Sequence, residues 1–248
     1  MKKTICLAAC LATMSVLPAA FAQSVTGLDA KQQSVVAIAA LTSQGDVAKL
    51  EKALVQGLEN GLSVNEIKEV LVQMYAYTGF PRSLNGINAL MRTLDARQKS
   101  GIVDELGKDA DPLPENFDRN TYGAQVRARL GGRTEVPPPS GYQVFAPTID
   151  NYLKEHLFAD IFARDVLDWQ TRELATIGAL SAMNQVQGQM RFHMSAAMNM
   201  GLSPAQMQSF IQTVLQTVGS DRADEAKAVL DQVLKARGTQ NQNDSKTR

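Results

Sequence analysis

Apolar residues recur along this chain at helical spacing and stop at well-formed helix boundaries. Ile67, Val70, Leu71 and Met74 lie on one face of a helix, as do Met207, Phe210, Ile211 and Val214. Ahead of each face sits a capping box, Ser63 with Glu66 and Ser203 with Gln206, and Pro204 takes the first-turn position that proline tolerates. Asp29 and Asp168 are suited to cap earlier helices, Gly61 and Gly201 to end helices in the left-handed conformation. Gly79 and Gly219 close a third helix in each half, and Pro81 or Asp221 opens a fourth. No alternating strand pattern competes, so the expected fold class is all-α.

The same pattern occurs twice. Leu28-Asp29 followed by Ile38, Ala40 and Leu41 returns as Leu167-Asp168 followed by Ile177, Ala179 and Leu180, at a constant offset of 139. Asn60-Gly61-Leu62-Ser63 then matches Met200-Gly201-Leu202-Ser203 at an offset of 140, which places one extra residue in the loop after the first helix. The chain therefore carries one helical unit in tandem, over 28–97 and 148–236. Between them, 98–147 is rich in Gly, Pro and charge, with Pro137-Pro138-Pro139 as the clearest breaker. Within this linker Tyr122 to Leu130 is expected to be helical, and Ile149 to Phe162 forms a helix leading into the second unit. The polar tail, 237–248, is expected to be disordered.

The N-terminus changes the chemical picture. Lys2 and Lys3, an apolar run to Leu17, and Ala20-Phe21-Ala22 have the layout of a secretory signal cleaved after residue 22. Leu7-Ala8-Ala9-Cys10 reads alternatively as a lipoprotein box, which would leave a very short apolar stretch before the cut. The expected location is periplasmic or secreted, with no membrane segment after cleavage. Cys6 and Cys10 are the chain's only cysteines, so cleavage after residue 22 leaves no disulfide, thiolate nucleophile or thiolate metal site. Loss of Lys2 and Lys3 takes 25 basic residues to 23 against 25 acidic ones, a net charge near −2 that gives nucleic acid no purchase. Two histidines in distant segments give no zinc constellation, and neither a glycine-rich phosphate loop nor a nucleophilic serine motif is present.

Several motifs carry a family likeness. Leu62-Ser63 through Glu66-Ile67-Lys68-Glu69-Val70-Leu71 and then Tyr77-Thr78-Gly79-Phe80-Pro81 resemble the carboxymuconolactone decarboxylase pattern. The later half resembles it more fully. Phe158 to Arg164, Leu167-Asp168, Thr171-Arg172-Glu173-Leu174 and Gln189-Met190-Arg191-Phe192-His193 follow in order, with Tyr122 to Gly131 ahead of them. The resemblance implies an alkyl hydroperoxidase D-like helical bundle that assembles into homo-oligomers, with the tandem chain acting as a built-in dimer.

What the resemblance implies chemically depends on the residues retained. Peroxidase-type relatives carry C-x-x-C followed four residues later by His, with a Glu on the preceding helix; Val186, Gln189, His193 and Glu173 stand there in this chain. Without either sulfur, thiol peroxidase chemistry is excluded. The decarboxylase branch needs no sulfur and no cofactor, since a conjugated lactone carbonyl accepts the electrons that carbon dioxide leaves behind. On that reading His193 donates the proton, Glu173 orients or relays it, and Arg172 or Arg191 holds the carboxylate. Gln189 stands where relatives use an acid or thiol and contributes only hydrogen bonding. The first unit has Ser34 for Glu173 and Ala53 for His193, which reads as a structural copy. Packed-core roles compete for His193, a helix-terminal role for Glu173, and surface or ion-pair roles for Arg172 and Arg191. His156 reads as a surface or interface residue, and the six methionines between 183 and 207 as core fillers. Two functions stay open: an acid-base enzyme acting on a small carboxylated lactone or related acid, and a non-catalytic helical binding or assembly protein.

Overall fold

A computed structural model describes residues 27–246, so the signal-like segment and both cysteines lie outside the described residues. The helices are α1 (Ala30–Gln44), α2 (Val47–Glu59), α3 (Val64–Lys99), α4 (Arg119–Leu130), the short α5 (Tyr142–Phe145) and α6 (Pro147–Asn151), then α7 (Trp169–Ser181), α8 (Gln187–Asn199), α9 (Pro204–Val218) and α10 (Ser220–Lys246). A π-helical stretch, Tyr152–Ile161, follows α6, and no strand occurs among the described residues.

The cap chemistry sets the frame of both units. Asp29 Oδ1 accepts from the Gln32 amide at 2.8 Å and Asp168 Oδ1 from the Thr171 amide at 2.7 Å, while Ser63 with Glu66 and Ser203 with Gln206 form reciprocal capping boxes. Gly79 breaks α3 at φ 78°, and Gly219 separates α9 from α10 at φ 96°. Both values fall where a side chain is strained, so glycine fixes the same corner in both copies. Residues 139 or 140 apart thus occupy equivalent places, and the chain is two all-α units in tandem.

The units cross over one another. Helix α1 packs on α7, its own counterpart, and each also packs on the third helix of the opposite unit, α1 on α9 and α7 on α3. One apolar core therefore runs through both, with Ile38, Leu54, Ile67 and Met74 continuous with Leu174, Ile177, Met194 and Phe210. Burial of that shared face, at about 25 cal/mol per Å² of apolar surface, holds the two copies together.

The connecting segment is more structured than its composition suggests. Glu105 and Leu106 carbonyls accept from the Val64 and Asn65 amides, so the chain after α3 returns to cap the start of that same helix. Helix α4 begins at Arg119, three residues before the expected Tyr122, and buries Val126 and Leu130 against Leu157, Phe158, Ile161 and Phe162. Those four come from the stretch expected to be an ordinary helix. It is instead α6 followed by π-helix, with the Phe162 amide bonded to the Leu157 carbonyl five residues back. Over ten residues, inward positions at 157, 158, 161 and 162 fit either winding, so apolar spacing does not separate the two.

Helix α10 continues to Lys246, past Lys235, where polarity alone predicts a disordered tail. Ala223, Ala226, Val229, Leu230 and Val233 anchor its first half in the core. After Leu234, which also packs on the core, the residues are mostly polar but include no proline, and Gly238 alone costs a helix only about 1 kcal/mol.

Two consequences are measurable. A Cβ added at Gly123 would stand 1.8 Å from the Lys154 carbonyl oxygen, which belongs to the backbone and has little room to retreat. Gly123→Ala should therefore destabilise the protein by about 1–3 kcal/mol in urea unfolding, with α4 displaced from the π-helix. Asp150 supports the same region. Burial pushes its carboxyl up, but bonds from Arg127, Gln143 and Lys154 prevail and hold it at about 2, below the ordinary 3.8. A carboxylate depressed on folding stabilises above its unfolded value and loses that contribution as pH falls through the folded one. Between pH 4 and 2 the wild type should lose stability more steeply than Asp150→Asn, as read by thermal melts across that range.

Candidate functional site

Three helices bring polar side chains into the apolar core at one place. On α3, Glu69, Gln73 and Tyr77 recur every four residues and so share a face. Helix α7 presents Arg172, Glu173 and Thr176 to that face, and α8 delivers His193 from the other side. Glu69, Gln73, Arg172, Glu173, Thr176 and His193 are all buried, and Arg172 is 0 % exposed.

The imidazole is oriented by a carboxylate. His193 Nδ1 lies 2.8 Å from Glu173 Oε2. A carboxylate only accepts, so Nδ1 carries the hydrogen and Nε2 of the neutral ring keeps its lone pair. Nε2 makes no hydrogen bond among the described residues and is not sealed from solvent, although the side chain is only 8 % exposed. Tyr77 and Phe192 stand edge-on to the ring, with centroids 6.0 and 5.1 Å away. Burial raises the Tyr77 pKa, and the Glu173 charge adds to the rise, so the phenol remains protonated.

Beside this pair lies a buried ionic network. Arg172 donates through Nη2 to Glu69 Oε2 at 3.1 Å and to the Arg164 carbonyl at 2.7 Å, and through Nη1 to Gln73 Oε1 at 3.1 Å. Arg164 grips the same carboxylate, with Nη2 at 2.6 Å from Glu69 Oε1. Burial would push Glu69 up, but the two arginines outweigh it and hold the carboxyl below its usual range. Gln73 donates to Thr176 Oγ1 at 2.9 Å, and that hydroxyl lies 3.1 Å from the Tyr77 oxygen. A polar chain thus runs from Arg164 to the aromatic wall of the histidine. Two buried atoms on successive residues, Arg172 Nε and Glu173 Oε1, have no hydrogen-bond partner.

The expected site residues part company here. His193 and Glu173 meet. Arg172 is close by in sequence, but its guanidinium is committed to Glu69, Gln73 and the Arg164 carbonyl. Gln189 and Arg191 are exposed on α8, and Arg191 lines a cleft of about 270 Å³ with Ser195, Asn199 and Arg237. An adjoining cleft of about 310 Å³ shares Gly131 and Ser195 with it and is lined by Arg127, Arg133 and Phe192. Phe192 therefore stands between the imidazole and a surface rich in guanidinium groups. His156 is on the surface, 3.0 Å from Asp160. Among the described residues no three of His, Cys, Asp and Glu converge as they would on a metal ion.

The model for the carboxymuconolactone decarboxylase family matches residues 12–91 and again residues 147–232. The chain belongs to the carboxymuconolactone decarboxylase family. Two matches in one chain agree with the two crossing units. No curated protein matches it.

In this family member the first unit is part of the site. Glu69, Gln73 and Tyr77 all come from α3, so a copy that lacks its own His and Glu still supplies three walls to the other. The available signal was a polar residue every fourth position on a helix whose neighbours Val70, Leu71 and Met74 are buried. Arg164 and Thr176 gave no such signal. Removing one partner of a buried ion pair leaves the other charge uncompensated, which costs about 3–5 kcal/mol. Glu69→Ala should lower stability by that amount in chemical denaturation, whereas Arg191→Ala on the surface should change it by less than about 0.5 kcal/mol.

Proposed function

We propose that this protein is an exported, cofactor-independent acid-base enzyme, acting by decarboxylation or isomerisation on a small carboxylated lactone or a related acid. The observation that supports this reading is the buried His193–Glu173 pair, 2.8 Å apart, whose free Nε2 is the ring's only unpartnered nitrogen. Glu173 fixes the tautomer and stabilises the imidazolium that forms when Nε2 takes up a proton.

In the decarboxylating sense, the bond between the carboxylate and its carbon breaks and carbon dioxide leaves. The electron pair moves into the conjugated lactone carbonyl to give an enolate. Imidazolium Nε2 then delivers its proton to carbon, forming the new C–H bond, and is reprotonated from solvent. In the isomerising sense the same nitrogen removes a proton next to the carbonyl and returns it elsewhere. The substrate carboxylate enters past Phe192 from the cleft where Arg191, Arg133 and Arg237 supply positive charge. Arg172 acts from below, holding α3 and α7 in register so that Tyr77 and Glu173 frame the ring. Gln189 contributes a hydrogen-bonding amide at the start of α8.

His193→Gln keeps a polar side chain of similar size but cannot cycle a proton at neutral pH. Against a panel of carboxylated butenolides and 3-oxo acids, it should lower turnover by about 10²-fold or more while the helical circular-dichroism signal stays at the wild-type level. Glu173→Gln should fall between the two. Wild-type turnover in His193→Gln would leave the chain as a binding or assembly protein.

A further inference from the structure

The duplication gives every residue of the His193 site a counterpart in the other half. Glu173 corresponds to Ser34, Thr176 to Ala37, Phe192 to Lys52 and His193 to Ala53, while Gln73 and Tyr77 correspond to Thr213 and Thr217. The counterparts also meet in space, because α1 packs on α2 and α9 as α7 packs on α8 and α3. In each case but Lys52 the side chain is smaller. A cavity of about 420 Å³ opens there, lined by Ser34, Ala37, Ala53, Thr213 and Thr217, with Lys49 and Lys52 at its rim.

We infer that this cavity is a second, non-catalytic binding site, for a small hydroxylated carboxylic acid. Its volume lies within the range of small-molecule pockets. The lining defines the chemistry of the occupant. Ser34, Thr213 and Thr217 each donate their hydroxyl hydrogen to a backbone carbonyl four residues back, those of Ala30, Ser209 and Thr213. What they retain is acceptor capacity, which suits ligand hydroxyl groups that donate. Asn60 already takes one lone pair of Ser34 Oγ, donating to it at 2.9 Å, so Thr213 and Thr217 are the freer acceptors. Lys49 is paired with Asp46 at 3.0 Å, whereas Lys52 makes no ion pair among the described residues. Its ammonium group is the counter-charge for a carboxylate at the mouth. Ala37, Leu41 and Ala53 give the carbon skeleton an apolar floor. With neither imidazole nor carboxylate in the lining, the site holds its ligand without moving a proton. This conclusion is independent of whether His193 turns over any substrate.

The test is titration of the purified full chain with sodium gluconate, using sorbitol as the uncharged match and acetate as the match without hydroxyl groups. Methyl NMR of Thr213, Thr217, Ala37 and Ala53 reports on the lining directly. Gluconate should give saturable shifts in these methyls, with sorbitol and acetate each binding at least about tenfold more weakly, a difference of about 1.4 kcal/mol. Lys52→Gln should raise the gluconate Kd about tenfold, Ala53→Phe should fill the space and abolish saturation, and His193→Gln should leave both shifts and Kd unchanged. Lys52 is exposed on α2, so its variant folds and decides the matter even if Ala53→Phe does not. Shifts that grow linearly without saturating, a Kd unchanged by Lys52→Gln, or binding lost in His193→Gln would each overturn the assignment.

Discussion

The buried guanidinium of Arg172 constrains everything around it. Taking such a charge out of water costs several kcal/mol, and the cost is recovered only where a carboxylate and further acceptors are held in place. Here those acceptors are Glu69 and Gln73, from α3 of the first unit, and the Arg164 carbonyl from the turn before α7. Neither helix can slide without stranding the charge. The shared apolar core binds the two copies with little regard for direction, whereas this network fixes one register between them. It is the register that sets Tyr77 beside His193 and leaves Glu173 with one oxygen bonded and the other bare.

The counterpart position shows what happens without that constraint. Gln33 stands in the place of Arg172 and Ser209 in the place of Glu69, so no buried charge pins α1 to α9. Gln33 turns instead to its own neighbourhood, donating to the Leu28 carbonyl at 2.8 Å. Although α2 has a side-chain cap, Asp46, where α8 has Val186, both copies keep the Asp and Ser caps of their first and third helices and the same glycine corner, so this part of the frame is duplicated. The inward-facing polar residues are not, and they have diverged in opposite directions: toward charge and close packing in one copy, toward small hydroxyl side chains and open space in the other.

Much of the frame was legible in the sequence because it rests on local chemistry. Asp and Ser caps, Gly corners and apolar faces act within a few residues, so a repeat at an offset of 139 or 140 exposes them. The meeting of Glu173 and His193 could be anticipated because adjacent helices carry both. Arg172 is the instructive failure. As a lone arginine near a helix start it reads as a carboxylate holder or as a surface or ion-pair residue, and its burial depends on Glu69, 103 residues earlier, which nothing local announces. The first unit read as structural for a related reason: a helix can donate walls to a site without carrying any group that the chemistry itself requires. The π-helical winding and the helical continuation beyond Lys235 were hidden because residue type there is compatible with more than one backbone path.

Crossing of the copies has a further consequence for how such a site can change. In a single unit that assembles with identical partners, any substitution on the third helix alters every site in the assembly at once. In the tandem chain α3 faces only the His193 site and α9 only its counterpart, so each wall varies alone. Tyr77 can stay bulky and close against an imidazole while its equivalent, Thr217, becomes small and opens a cavity. Charge can be concentrated beside the imidazole, since a low-dielectric surround strengthens the carboxylate's hold on the ring. The opposite copy, free of that burden, can remain open to solvent and line its cavity with small hydroxyl, amide and ammonium groups.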